Sequence, residues 1–468
     1  MRFLIPLLST VALAGCTVGP DYHRPGMALT PAFHTNPAIA PAADTAWWNA
    51  FADPVLDRLV TQALAQNCDI AAASARVDQA RAASQAAGAA LLPTVGSVAS
   101  VEKTSQSRES PFGAASTKLG FPRDYALYQL GAQASWEIDL FGGLRRGREA
   151  ARADYAGTAA EADAVRLSIA AETVDAYLQL RGLQARLVIA NSELETERQL
   201  VDLVRQRVDQ GLVADRELNR VLGEQEGIAA SMAPLRAAIE GQMNRLDILT
   251  GVQAGTGHAV LTAVAAIPLA PDPSGSAIPA DLMRRRPDIA AAERRLAASN
   301  ARIGVAVAEH YPHLSLSGLL GVASVGTGGL FTGNALQASG GAGLRWRLFD
   351  FGRVDAEVAA ARGHEAEALA LYRGVVLRAT EDVETSLMRL AEGRAEIASR
   401  EAQVAALTRS RDQARQAYQE GVLALVDVLD ADRALLDASD RLASARAGAA
   451  RASVAAIRAL GGGWQERS

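Results

Sequence analysis

Aromatic residues are scarce in this sequence, at 5% of 468 residues. With few bulky rings to fill a thick core and abundant alanine, the best helix former, the chain is expected to be mostly helical with thin packing layers. An excess of positive charge is also missing. The formal net charge is −5, which gives no electrostatic footprint for nucleic acid. Beyond the N-terminus there is no run of about 18 apolar residues, so no membrane-spanning helix is expected. Cysteine is limited to Cys16 and Cys68.

Motifs of catalysis are missing as well. The stretch "GVASVGTGG" (321–329) has no Lys-Ser/Thr after it and is not a phosphate-binding loop; it reads as a flexible loop. His364-Glu365 lacks the second His of a zinc helix, and His310 and His313 flank Pro312 without a convincing further ligand. No Gly-x-Ser-x-Gly elbow occurs. No enzyme, cofactor or metal site is expected.

What is present begins at the N-terminus. One Arg, an apolar run and small residues make 1–15 a secretory signal peptide. It ends in Leu13-Ala14-Gly15-Cys16, which resembles the lipobox of bacterial lipoproteins. That resemblance implies an acylated Cys16 and a lipidated segment over 16–54; the alternative is an ordinary signal peptide with an incidental cysteine. Thr17, in place of the Asp typical of inner-membrane lipoproteins, favours the outer membrane. With Cys16 carrying lipid, Cys68 has no disulfide partner, and it reads as a small buried or half-buried helix residue.

The larger feature is a duplication. "DIAAA" occurs at 69–73 and at 288–292. The offset of 219 is kept by Arg76 and Arg295, Ala82 and Ala301, and Pro93 and Pro312. After the prolines an offset of 210 takes over, relating Trp136 to Trp346, Phe141-Gly142 to Phe351-Gly352, and Gly211 to Gly421. The second copy is therefore nine residues shorter between its proline and its tryptophan. The repeats span 55–250 and 279–460, joined by a Pro/Gly/Ser-rich linker over 251–278 and followed by a tail at 461–468.

Each copy has one order: a helix, alternating sequence, a very long helix, a glycine tip, another helix. No proline lies between Gly142 and Gly211 or between Gly352 and Gly421, so these helices are on the order of 100 Å long. Leu180, Leu187, Leu194, Val201 and Val208 recur every seven residues, as do Val376, Val383, Leu390, Ile397 and Val404. A heptad seam means coiled-coil-like packing. Three residues further on, the second copy has Ala379, Ser386, Gly393 and Arg400 rather than leucine, which favours a curved wall of helices with a wet side over a two-stranded rod. Pro287 suits a first helical position, with Asp288 in the first turn.

Four stretches alternate. Tyr128, Leu130, Ala132, Ala134, Trp136, Ile138 and Leu140 oppose Gln129, Gly131, Gln133, Ser135, Glu137 and Asp139. Leu336 to Leu348 repeats the pattern, Leu314 to Val322 gives another strand, and Val95–Val101 a weaker one. The period suits either a transmembrane barrel or a soluble sheet packed on one face. Four strands are too few for a membrane barrel, for which about eight is the minimum, so the barrel reading demands several chains.

Together these residues resemble the TolC-like outer-membrane efflux proteins, in the lipoprotein branch that serves resistance-nodulation-division (RND) pumps. The resemblance covers nearly the whole mature chain. It rests on the lipobox, "WWNAFADPVL" (47–56), "RRRPDIAAAERRL" (284–296), the Phe-Gly pairs before the long helices and "YQEGVLALVDVLDADRALL" (418–436). The fold it implies is mainly α with a β-barrel part: a duplicated long-helix coiled-coil tunnel and four transmembrane strands per chain, closing as a twelve-strand barrel in a homotrimer. It implies passive export of drugs or other small molecules, powered by an inner-membrane RND transporter and delivered through a periplasmic adaptor protein. The chain would be lipid-anchored in the outer membrane and extend into the periplasm.

By the same resemblance, Gly211-Leu212-Val213 and Gly421-Val422-Leu423 form the tips that meet the adaptor; glycine there is also an ordinary helix C-cap. Val426 and Asp430 match a narrow periplasmic aperture of an apolar ring and an aspartate ring, and their spacing places them on one helix face. The plainer reading puts Asp430, with Asp427 and Asp432, on a solvated face. Arg220 stands at the equivalent position of the first copy. Two other functions compete: the exit duct of a protein-secretion system, and a pore-less structural coiled-coil lipoprotein.

Overall fold

The computed structural model describes residues 17–34, 46–268, 286–462 and 464. Cys16 and the signal sequence, Arg284 and Arg285, and residues 269–278 of the linker fall outside the described residues. A short 3₁₀ turn, Trp47–Phe51, precedes α1 (Pro54–Gln66) and α2 (Cys68–Ala89). Strand β1 (Thr94–Ser105), α3 (Pro111–Lys118) and β2 (Asp124–Ile138) follow. Then come α4 (Gly143–Asp209), α5 (Asp215–Leu249) and one turn of helix, α6 (His258–Leu261). The second half repeats the series with α7 (Pro287–Ala308), β3 (His313–Ser324), β4 (Leu336–Arg345), α8 (Arg353–Gln419) and α9 (Leu425–Ala459).

The duplication is legible in the boundaries themselves. The 22-residue helices α2 and α7 start 219 residues apart, while α4 and α8, both of 67 residues, and α5 and α9, both of 35, start 210 apart. The change of offset falls between the strands: β1 and β2 are joined through the extra helix α3, β3 and β4 only through two 3₁₀ turns. Both long helices open on a side-chain cap. Asp139 accepts from the amides of Leu144 and Arg145 (3.1 and 2.9 Å), and Asp350 from those of Gly352 and Val354 (3.1 and 2.8 Å), satisfying N–H groups that a helix start leaves without partners.

The chain divides into two compact units, each drawing on both repeats. One contains Asp78–Gly157 and Glu293–Leu371 with the described N-terminal stretch up to Pro25. Its centre is an antiparallel sheet of order β1-β2-β3-β4. The register aligns Val95 with Ala134, Val101 with Tyr128, Trp136 with Leu316 and Leu314 with Leu344, so these apolar residues of the four strands share one face. The other face carries Ser100 opposite Gln129 and Glu137 opposite Ser315. Gly131 and Gly321 are paired in the register, and a Cβ on Gly321 would lie 2.5 Å from the Leu130 carbonyl oxygen. The glycine-rich segment expected to be a loop thus contributes its first four residues, 321–324, to β3, where glycine permits close backbone approach. Strand β4 ends at Arg345, before the expected Trp346 and Leu348.

The second unit contains Gly26–Val77, Thr158–Ala292 and the chain from Tyr372 onward. Its main core gathers Trp47, Trp48 and Phe51 with Leu56 and Val60 of α1, Val174, Tyr177 and Leu178 of α4, and Met243 and Leu246 of α5. Asp53 sets this arrangement: its carboxylate accepts from the amides of Val55 and Leu56 at the start of α1 and from the Tyr177 hydroxyl at 2.6 Å. Burial, with that hydrogen bond, pushes the Tyr177 phenol up to about 12. Of the heptad residues, Leu180, Leu194, Val201, Val376, Val383 and Leu390 are buried, and Leu187, Val208, Ile397 and Val404 half-buried. Two expectations are corrected. Ala379 and Ser386 are buried rather than wet; a Cβ on Gly393 would stand 3.4 Å from that of Ala449, so small residues here let α8 approach α9 closely. Cys68 is exposed, because it is the first residue of α2 and Asn67 takes the buried capping position.

Candidate functional site

The end of α4 and the start of α5 meet the end of α8 and the start of α9 around Gly211 and Gly421. Both glycines have left-handed backbones, φ +70° and +78°, and an added Cβ would meet nothing within 4 Å. Conformation rather than crowding therefore requires glycine at these turns. The turns close alike: Gly211 and Leu212 donate to the carbonyls of Val208 and Arg207 (2.8 and 2.9 Å), and Gly421 and Val422 to those of Tyr418 and Ala417 (3.0 and 2.9 Å). Leu212 and Val422 are 67% and 77% exposed, large for apolar side chains on a turn; Leu423 is exposed and Val213 half-buried. Beneath them Leu200, Val201, Val204, Val221, Tyr418, Leu425, Val428 and Leu429 form one cluster. Arg207 ties the turns together, lying 4.5 Å over the Tyr418 ring and donating to the carbonyls of Tyr418 and Gln419.

Val426 and Asp430 sit one turn apart at the start of α9. Val426 is half-buried and Asp430 exposed, with Arg433 at 3.9 Å. Asp427, exposed, accepts from the Ala424 amide. Asp432 departs from the solvated-face reading. It is 3% exposed and forms a two-pronged ion pair with Arg415 of α8, at 2.8 and 3.2 Å. Arg220 is exposed on α5.

Asp432 also faces two glutamates of α4 that sequence reasoning passed over. Carboxylate oxygens of Glu193, Glu197 and Asp432 lie within 4.8 Å of one another, and all three residues are buried. Among the described residues nothing donates to either oxygen of Glu197 or to Oε1 of Glu193. Burial is the main cause that pushes the Glu197 carboxyl up to about 7, reinforced by Asp432, Glu193 and Glu224 and opposed by Arg415. Glu193 is raised too, by burial and Asp432, against Arg415 and Arg411. A signal existed: Glu197 stands three residues after Leu194, where the same helix has Leu183, Ala190 and Val204 after its other seam residues.

The "RRRPDIAAAERRL" segment has a structural role at its described part. Arg286 donates to both oxygens of Asp288 (3.0 and 2.7 Å), to Asp382 of α8 and to the Ala459 carbonyl that ends α9. His313 lies 2.8 Å from Glu137 across β2 and β3, and His310 3.6 Å from Asp355. Among the described residues no helix is long and apolar enough to cross a membrane.

The family model for outer membrane efflux proteins matches residues 59–252 and 278–462. The chain belongs to that family. It is an outer-membrane channel of efflux pumps, and a transport protein rather than an enzyme. The pyoverdine export outer membrane protein OpmQ of Pseudomonas putida is 32% identical over 472 residues, covering 99% of this chain and 98% of that relative. The structure of the outer-membrane channel OprN is 35% identical with a TM-score of 0.88, over 96% of this chain and 100% of that one. The Campylobacter jejuni CmeC channel has a TM-score of 0.89 over 97% and 96% at 23% identity, a likeness of fold. The sequence-based expectation of a TolC-like fold, long paired helices with four antiparallel strands, therefore holds.

Proposed function

We propose that three copies of this chain close a twelve-strand barrel across the outer membrane and form the passive exit duct of a tripartite pump for drugs or other small molecules. The observation that carries this reading is the sheet. Its apolar face is exposed, with Val95 and Val101 at 71% and 66% and Leu320, Leu336 and Leu344 similar, while β1 and β4 are edges. A lipid-facing barrel accounts for the apolar face, and strands from neighbouring chains pair the edges. The opposite face, with Gln129, Gln133 and Glu137, suits a watery lumen.

In this reading residues 1–15 are removed, Cys16 carries lipid, and 16–54 leads into two repeats over 55–250 and 279–460. The exposed tips Gly211-Leu212-Val213 and Gly421-Val422-Leu423 meet a periplasmic adaptor, which couples the duct to an inner-membrane RND transporter. Val426 and Asp430 narrow the resting channel, because a threefold axis would bring three carboxylates together above an apolar ring. The relative OpmQ is named for pyoverdine export, in keeping with small-molecule cargo.

The test is single-channel conductance of the purified protein in planar bilayers. Wild-type protein is expected to give small closed-state currents and the V426A/D430A double variant larger ones. No current from either would leave a pore-less structural lipoprotein, and equal currents would remove Val426 and Asp430 from the aperture. Co-purification with an RND transporter rather than a protein-secretion exporter tests the cargo class.

A further inference from the structure

The duct has no evident need for three buried carboxylates in its helical wall. We propose that Glu193, Glu197 and Asp432 form a binding site for one divalent cation of the calcium class, joining α4 of the first repeat to α9 of the second. Two observations carry this independently. The first is geometric: the three carboxylates converge with oxygens inside 4.8 Å, and two oxygens on one calcium ion, each about 2.3–2.6 Å from it, can be about 5 Å apart. Glu193 and Glu197, four residues apart on one helix, present their carboxylates on a single face.

The second is the state of Glu197 itself. It is 0% exposed and both its oxygens are without a donor among the described residues. A buried carboxylate in that condition is costly, and structures rarely leave one so. Hydrogen bonds do not relieve it, and the nearby guanidinium is engaged elsewhere, since Arg415 pairs with Asp432. The other nearby cations are also engaged: Arg411 pairs with Asp412, and Arg433 with Glu224. Three carboxylates with Arg415 leave two negative charges, the complement of a divalent ion. An all-carboxylate donor set, with no thiolate or imidazole, suits a hard cation such as calcium, magnesium or manganese. The oxygen spread suits calcium, whereas magnesium, at about 2.0–2.1 Å, requires the side chains to draw inward.

The full-length protein, purified in detergent and stripped with EDTA, is titrated with calcium chloride at pH 7.5 by calorimetry, with thermal unfolding followed in parallel. One calcium per chain and a rise in Tm are expected, with at least tenfold weaker binding in E197Q and in E193Q. E195Q, an exposed neighbour, is expected to bind as the wild type does. Magnesium is expected to bind more weakly than calcium. Absence of calcium binding to the wild type, or binding retained in both E197Q and E193Q, overturns the site. If E197Q fails to fold, E193Q alone decides. A wild type whose Tm responds to pH but not to calcium also overturns it, leaving carboxylates that share protons.

Discussion

Asn67 and Arg286 occupy equivalent places in the two repeats and fasten the same joint with different chemistry. The Asn67 amide donates to the Leu249 carbonyl at 3.0 Å, and the Arg286 guanidinium to the Ala459 carbonyl at 3.2 Å. The donors are 219 residues apart and the acceptors 210 apart, the two offsets of the duplication. Asn67 also accepts from the amides of Asp69 and Ile70, capping α2, whereas in α7 Pro287 fills the first position and Arg286 reaches on to Asp288 and Asp382. N67A removes a cap and leaves a buried carbonyl without its donor, at a cost of about 2 kcal/mol. R286K keeps the charge but loses the fork that spans two carboxylates and is expected to destabilise comparably. Thermal unfolding of the detergent-solubilised protein checks both; an unchanged Tm for either would show the joint to be redundant.

The tips separate stability from assembly. Leu212 and Val422 are so exposed that replacing them with aspartate removes little packing, and L212D and V422D are expected to change stability by less than about 0.5 kcal/mol. If the turns dock on an adaptor, the same variants abolish efflux, because an unpaired charge is introduced into an apolar contact. By contrast, G211A and G421A strain a left-handed backbone, costing about 1 kcal/mol each while leaving the exposed side chains in place. Drug susceptibility of cells carrying each variant, read beside the Tm of the purified protein, distinguishes the two classes.

Arg415 tests the wall of the tunnel rather than its surface. In EDTA, removing it in R415A leaves Asp432 buried beside Glu193 and Glu197 without its ion-pair partner, and an uncompensated buried charge costs about 3–5 kcal/mol. The expected result is a large fall in Tm or loss of folded protein. Adding D432N should recover much of it, since the charge that needed Arg415 is then gone. A failure of D432N to rescue R415A would mean that Arg415 acts through packing alone.

How much of this was legible in the sequence depends on whether the signal was periodic. The long helices, their boundaries, the glycine tips and the strand faces follow from repeats of seven, of two and of about 210 residues, and the structure reproduces them nearly to the residue. Single-residue environments were not legible. Cys68 was expected inside and is exposed because the buried role at the start of α2 fell to Asn67. Asp432 was grouped with solvated carboxylates because its partner, Arg415, lies on another helix. Ala379 and Ser386 read as a wet side because small residues give the same pattern whether they face water or a closely approaching helix. The glutamates at 193 and 197 were missed for the same reason: a charge in a long polar helix stands out only when the positions around it are aligned to the seam.

The carboxylate cluster also makes the stability of the protein depend on pH in a particular direction. Glu197 has its carboxyl pushed up to about 7, from an ordinary glutamate value of about 4.5, chiefly by burial. A raised acid binds its proton more tightly in the folded chain than in the unfolded one, so the neutral form stabilises the fold. That contribution is fully present below about pH 4.5, and it is lost progressively as pH rises toward and through about 7. The difference corresponds to about 3 kcal/mol per chain. In EDTA the wild type should therefore lose stability between pH 5 and pH 8 relative to E197Q, whose neutral side chain does not titrate. The gap between the two unfolding curves should widen with pH and then level off above about 8. Equal pH dependence in the two proteins would mean that Glu197 is neutralised by some group other than a proton.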